Sequence, residues 1–216
     1  MTCDYKAYER IAHIKYFKLL GGAKAVKEPK RIALSLLFDS FGEEALSMNN
    51  PTINAFTSQE LSTYYIAWSK SLNTPLSSSV GRLFDAVASL LGIIHVMSFE
   101  AQSAMMLEAF YDASIKGSYS FTYEDTIINI DPMIQEIILE KHTTTAVSRF
   151  FHTLVEIIST VYKEYELPLV LGGGVFQNRI LLELVWEKFP NAILANKFPP
   201  NDGGIALGQI ASSLFE

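Results

Sequence analysis

The sequence predicts an α/β protein, rich in helix, with a small parallel or mixed sheet towards its C-terminal end. Three observations lead there. Several stretches carry apolar residues three and four positions apart, the spacing of one helix face. One stretch reads strand, glycine turn, helix, strand, the order of a parallel crossover unit. Glycine, proline and asparagine clusters separate these stretches at short intervals, leaving no room for a long linker.

The elements follow in order. Residues 9–17 alternate weakly and read as a strand whose partners are not evident nearby. Gly21-Gly22 ends it, and Pro29 stands where a first helical turn tolerates proline. A helix is expected from there to about Phe38, with Ile32, Leu36 and Leu37 inward. Asn49-Asn50-Pro51 reads as a turn. Residues 58–72 read as a helix with Leu61, Tyr64, Tyr65, Trp68 and Leu72 on one side. After Asn73-Thr74-Pro75 and the serines at 77–79, another helix runs from Gly81 to Leu91, stopped by Gly92. Residues 100–111 are helical and rich in Ala and Met, with Met97, Met105 and Met106 expected to pack. Residues 117–130 alternate polar and β-branched positions and suggest a short hairpin. Residues 132–140 and 145–162 complete this series of helices, the latter with Val147, Phe150, Phe151, Leu154, Ile158 and Val161 inward.

The C-terminal quarter is the most informative. Residues 167–171 form a short apolar run, as expected of a strand buried on both faces of a parallel sheet. Gly172, Gly173 and Gly174 then allow a tight turn and a close approach of backbone to a ligand. A helix follows with Leu181, Leu182, Val185, Trp186 and Phe189 as its apolar stripe. Residues 192–194 read as a second strand, ended by Pro199-Pro200, and Asn201-Asp202-Gly203-Gly204 makes a second turn. A right-handed crossover puts both turns at one sheet edge, where open α/β sheets bind ligands.

Composition narrows the function classes. A net charge of −6 with no Lys/Arg cluster argues against nucleic acid as an electrostatically captured partner. Cys3 is the single cysteine, so no internal disulfide or cysteine-rich zinc site forms. Neither a signal-peptide core nor a membrane-length apolar run is present, and a cytoplasmic location is expected.

Three groups of residues carry a family resemblance. Ser77-Ser-Ser-Val-Gly-Arg-Leu-Phe-Asp-Ala86, Gly172-Gly-Gly-Val-Phe-Gln-Asn-Arg179 and Pro199-Pro-Asn-Asp-Gly-Gly-Ile-Ala-Leu-Gly208 resemble the C-terminal part of the hydrogenase-maturation carbamoyltransferases of the HypF family. Leu20-Gly-Gly-Ala-Lys24 and Glu28-Pro-Lys-Arg31 resemble a further stretch upstream. The likeness runs along nearly the whole chain. That region is similar to TsaD-type proteins, which modify tRNA, and implies an actin-like (ASKHA) ATPase lobe. It also implies ATP and a carbamoyl-adenylate as ligands, with carbamoyl transfer to the C-terminal cysteine of a HypE-like protein acceptor. Dehydration of the product would supply the cyanide ligands of a nickel–iron centre.

Each candidate residue has a plainer reading beside that one. Gly172 to Gly174 either meet phosphate through free N–H groups and the helix dipole, or only turn the chain. Asn178 either contacts the nucleotide or caps the helix, and Arg179 is solvated beside it. Asp85, four residues after Gly81, either accepts from ribose hydroxyls, as the resemblance implies, or is an exposed helix acid. Glu100 belongs to a family stretch that usually has glycine next, where this chain has Ala101. By resemblance Gly203 and Gly204 line the nucleotide and Asp202 is a metal ligand; otherwise they are ordinary turn residues. In TsaD-type proteins that aspartate works with a His-x-x-x-His pair on iron or a similar divalent ion. Here His13, His95, His142 and His152 include no such pair, and His13, His95 and His152 are expected to pack or bond within the core.

The expectation is therefore a lobe, spanning residues 1–216, that contributes part of a nucleotide cleft and half of a metal site. With no catalytic residue of its own and its first strand lacking partners, the chain is expected to be an inactive C-terminal fragment of a carbamoyltransferase. Acylphosphatase, zinc-finger and YrdC-like regions and the first half of the domain are implied upstream by resemblance. The alternatives are an inert nucleotide-binding or protein-docking module of the same fold, and a TsaD-like tRNA-modification component.

Overall fold

Pro29 fixes where the central helix of the molecule begins. The computed structural model describes residues 1–3 and 7–213. Four two-residue strands come first: β1 (Thr2–Cys3), β2 (Tyr8–Glu9), β3 (His13–Ile14) and β4 (Phe17–Lys18). Gly21 and Gly22, both at positive φ, turn the chain into the five-residue helix α1 (Ala23–Lys27). A side chain on Gly21 would meet only the end of the flexible Arg31 side chain, at 2.8 Å, so the positive φ rather than space is what calls for glycine there. Helix α2 (Pro29–Phe41) then carries proline at its first turn and buries Ile32, Ala33, Leu34, Leu36, Leu37 and Phe38. It is apolar nearly all round, as a helix inside a core must be.

A 3-10 turn (Gly42–Ser47) leads to the short helix α3 (Pro51–Asn54). The expected turn at 49–51 is thus a helix start, because the Asn50 side chain accepts from the Thr52 N–H and caps it. Helix α4 (Ser58–Ser69) opens with a capping box between Thr57 and Glu60. It stops before Leu72, which is exposed, because Ser71 and Asn73 leave helical geometry at positive φ. Strand β5 (Leu76–Ser77) pairs antiparallel with β4, and Ser79 caps α5 (Val80–Leu90). Helix α6 (Gln102–Glu108) is shorter than the sequence suggests and begins only after Ala101. Met105 is exposed on it rather than packed.

The predicted hairpin is present as β6 (Thr122–Glu124) and β7 (Ile127–Asn129). Strand β7 also pairs parallel with β3. The first strand region therefore has partners within the chain, in β5 and β7, contrary to expectation. They come from some sixty and over a hundred residues away, a pairing local pattern does not reveal. Helices α7 (Asp131–Leu139) and α8 (Thr143–Tyr165) follow. Phe84 of α5 packs edge-on against Phe150 and Phe151 of α8, at 5.1 and 5.6 Å between ring centres.

The last part is the crossover unit read from the sequence. Strand β8 (Val170–Leu171), a 3-10 turn (Gly174–Gln177), α9 (Arg179–Lys188) and β9 (Ile193–Leu194) follow in order, and β8 and β9 are parallel. The strands are not buried on both faces. Leu171 is buried, but Val170 is 65% and its register partner Ile193 55% exposed. Helices cover one face of this pair and nothing among the described residues covers the other. A 3-10 turn (Asp202–Gly204) leads into α10 (Ile205–Ser212), a helix the sequence reading missed. The structure is helix-rich α/β as predicted. No described helix is long and apolar enough to cross a membrane.

Candidate functional site

The two glycine turns meet. The Gly173 N–H donates to the Pro200 carbonyl at 2.6 Å, tying the turn after β8 to the turn after β9. Asn201 accepts from the Gly203 N–H at 3.0 Å and sits beside Gly174. Gly172, Gly173 and Gly174 are exposed along this edge, as are Asp202 and Gly203. The parallel crossover thus places both turns together, as the sequence argument requires.

The glycines differ in what holds them. Gly173, at φ 96, needs glycine for its backbone. Gly204 needs it for space, since a side chain there would lie 2.7 Å from the Pro199 carbonyl oxygen. Gly172 has no atom within 4 Å of a would-be side chain, and the nearest to Gly174 is at 4.0 Å. Gly81, in the first turn of α5, would meet only the Ser79 hydroxyl at 3.6 Å. The described fold has room for alanine at these three positions, and glycine in a helix costs about 0.5–1 kcal/mol relative to alanine.

Helix α5, which carries Gly81 and Asp85, packs on the 3-10 turn that follows Gly173. Asp85 is not an exposed helix acid. It is 2% exposed, with Arg82 Nη1 2.9 Å from its Oδ2. That contact is electrostatic only: Oδ2 has no aligned hydrogen-bond donor. The Ser103 hydroxyl reaches both the Met97 sulfur, at 3.1 Å, and the Asp85 carboxyl. Its single proton favours the carboxylate, the stronger acceptor. Burial nevertheless dominates and pushes the Asp85 carboxyl up to about 6, against the opposing pull of Arg82 and Ser103.

Asn178 is a helix cap. Its Oδ1 accepts from the Leu181 N–H at 3.0 Å, while its buried Nδ2 has no partner. Glu108, at the end of α6, accepts from the Arg179 N–H at 2.8 Å, and the Arg179 side chain pairs with Glu183. Of the three N–H groups expected to await an anion, that of Gly173 is therefore occupied by Pro200, and the Arg179 N–H at the start of α9 is taken by Glu108. Sequence reasoning missed Glu108, whose contact spans 71 residues and has no local signature.

Glu100 is exposed before α6, at the opposite end of that helix from Glu108. Ala101 adopts a left-handed backbone at φ 61. That conformation, rather than ligand approach, explains why glycine suits this position.

Asp202 heads the second turn as an isolated, exposed carboxylate. Among the described residues no three His, Cys, Asp or Glu side chains gather as a ligand set. The residues present do not fit a complete metal site. Three histidines are engaged internally: His95 with Ser89 at 2.9 Å, His13 with the Ile14 carbonyl at 2.9 Å, and His152 with the Ile115 carbonyl at 3.1 Å.

Comparison with known proteins gives this geometry its family. Residues 1–209 match the family model for the carbamoyltransferase Kae1-like domain, second subdomain. The chain belongs to the HypF carbamoyltransferase family. It is 34% identical to the carbamoyltransferase HypF of Synechocystis, over 96% of this chain and 30% of that protein. It is 30% identical to a probable carbamoyltransferase HypF of Methanocaldococcus jannaschii, over 93% of this chain and 28% of that protein. A HypF homologue of Cupriavidus necator is 29% identical, and there the match covers 56% of its length. Among solved structures, a full-length HypF in its phosphate- and nucleotide-bound form superposes with a TM-score of 0.87 at 34% identity. That match covers 99% of this chain and 36% of the other. The HypF of T. kodakarensis shares the fold, with a TM-score of 0.79 at 21% identity over 94% of this chain and 30% of the other. The chain thus spans about 30% of the length of the first two relatives.

Proposed function

We propose that this chain forms one wall of a nucleotide cleft in HypF-type carbamoyl transfer, with its two joined glycine turns facing the phosphates of ATP or a carbamoyl-adenylate. The observation that carries this reading is the Gly173–Pro200 hydrogen bond, which assembles one continuous exposed backbone edge from two turns. Glycines at 81, 172 and 174, which the described fold does not require, keep that region open. Kinship with a protein crystallised with phosphate and nucleotide supports the same ligand class.

The phosphate donors are then the amides of Gly172 and Gly174, rather than the end of α9, where Glu108 sits; the Gly203 and Gly204 N–H groups already donate to Asn201, so that turn lines the phosphates without donating to them. Asn178 contributes its unpartnered Nδ2, and Asp85 and Gly81 shape the neighbouring wall. These groups position a nucleotide and none of them does chemistry, so the chain contributes orientation to transfer. In the proposed transfer a HypE-like acceptor's cysteine thiolate attacks the carbamoyl carbon, the bond to the adenylate phosphate oxygen breaks, and AMP leaves with its electron pair. Asp202 would hold a divalent cation only together with ligands from elsewhere in a full-length protein. The remaining half of the domain would supply the opposite wall, and the chain alone is expected to be inactive.

Titration of the isotope-labelled chain with ATP, followed by amide chemical shifts, tests the reading. Shifts at residues 172–174, 203–204 and 81 are expected, with weak affinity. Shifts confined to a surface away from these turns would falsify it.

A further inference from the structure

We infer that Glu108 is a specificity-determining residue of the proposed cleft, one that makes the glycine edge reject nucleotides in proportion to the charge of their phosphates. This role rests on the nucleotide reading above and adds to it which nucleotide the edge can take. Glu108 ends α6, and its Oε1 accepts from the Arg179 N–H at 2.8 Å across 71 residues of chain. The first N–H of a helix is where an anion gains from both an unpaired donor and the dipole. A protein carboxylate holds that place here. A phosphate on the turn leading into α9 therefore meets a like charge where a free donor would otherwise stand.

The surroundings do not cancel that charge. Asn178 heads the same helix, 8% exposed, with its Oδ1 engaged by the Leu181 N–H and its Nδ2 without a partner. It offers one neutral donor. Arg179 supplies a cation at this helix start, but its guanidinium is exposed and pairs with Glu183 at 2.7 Å. Two carboxylates thus attend one guanidinium. Residues 172–178 and 199–204 contain no Lys or Arg, and the second turn adds the Asp202 carboxylate. Polyphosphate is held most strongly by charge-assisted bonds from Lys or Arg, and these turns carry none. Neutral donors, the Gly172 and Gly174 amides and Asn178 Nδ2, suit a single esterified phosphate, as in an adenylate whose phosphate bears a carbamoyl group. Every further phosphate brings charge to a surface that already carries Glu108 and Asp202.

Affinities of the isotope-labelled chain, read from amide shifts in metal-free buffer at low salt, test this role. AMP methyl ester, AMP and ATP are the ligands, in order of rising charge. The parent is compared with Glu108→Gln, which keeps an acceptor for the Arg179 N–H and removes the charge. Glu43→Gln removes the same charge from an exposed turn after α2 and controls for net charge. In Glu108→Gln the methyl ester should bind about twofold more tightly and ATP at least about tenfold, with the gain shrinking as salt is added. Glu43→Gln should stay near the parent for all three. Equal gains for the three ligands in Glu108→Gln overturn the inference and leave Glu108 a helix cap. No gain for any of them overturns it too, by placing the phosphates beyond the reach of its charge. Absence of shifts at residues 172–174 with every ligand overturns the cleft itself, a result distinct from both. Glu108→Ala, at a helix end that alanine suits, gives the same reading should glutamine disturb the fold.

Discussion

Asp85 loses nearly all contact with water on folding, and Arg82 and Ser103 offset only part of that loss. Its folded carboxyl therefore holds its proton up to about 6, whereas the unfolded one ionises near 3.8. Below 3.8 both states are protonated and the fold bears no penalty. As pH rises through that window the unfolded chain ionises first, and stability falls until the folded group also ionises. Asp85→Asn has no such titration. It should match the parent near pH 3.5 and exceed it above pH 6 by on the order of 3 kcal/mol, at about 1.4 kcal/mol per pKa unit. Urea unfolding across pH 3.5–7.5 reads this directly, and parallel pH curves for the two proteins would refute it. At the same scale, Ala101 bears the cost of a left-handed backbone, about 1–2 kcal/mol for a non-glycine residue. Ala101→Gly should stabilise the chain by roughly 0.5–1 kcal/mol after glycine's own entropic cost. Ala104→Gly, inside α6, should destabilise by about 1 kcal/mol. A loss of stability on Ala101→Gly would show that the left-handed turn is not strained.

At the scale of elements, the α9 start shows what local sequence discloses and what it hides. The Asn178 cap and the glycine turn before it are local devices, visible as residue types at fixed offsets from an apolar stripe. The same holds for Pro29, Ser79, Gly92 and the order β8, α9, β9. What could not be read depends on distant partners: the pairing of β3 with β7, the Glu108 carboxylate at Arg179, and the burial of Asp85 beneath α6. Helix α10 was missed for the opposite reason. Its apolar residues have no polar face to alternate with, so no helical period stands out. Because Glu108 and Asn178 serve the same helix end, their substitutions differ in a measurable way. Asn178→Ala should cost about 1 kcal/mol, the usual worth of such a cap. Glu108→Gln keeps an acceptor and should cost less, while removing a negative charge beside the candidate phosphate site. Tighter ATP binding in Glu108→Gln is the expected result of an ATP titration. Unchanged or weaker binding would mean that the phosphates lie too far from Glu108 to sense its charge, against their assignment to the glycine turn that leads into α9.

Across the whole molecule, packing is uneven in a way that stability measurements can resolve. Helices α2, α5 and α8 share one apolar core, with Phe84, Phe150 and Phe151 locked ring against ring. The β8–β9 face and α10 lie outside it, held by backbone bonds and one turn. A two-stranded pair alone is marginal in water, and an eight-residue helix is too short to persist without packing. Local opening should therefore need far less free energy at residues 193–212 than in the core. Hydrogen exchange of the isolated chain should show amides in α2, α5 and α8 protected to near the global unfolding limit, and those of α10 exchanging with little protection. Substitution should follow the same division. Phe84→Ala empties a core position and should cost about 3–5 kcal/mol. Ile210→Lys removes no packed neighbour and should leave the unfolding midpoint nearly unchanged. If Ile210→Lys instead destabilised the isolated chain by several kcal/mol, or α10 amides exchanged as slowly as those of α5, that helix would already be buried within this chain.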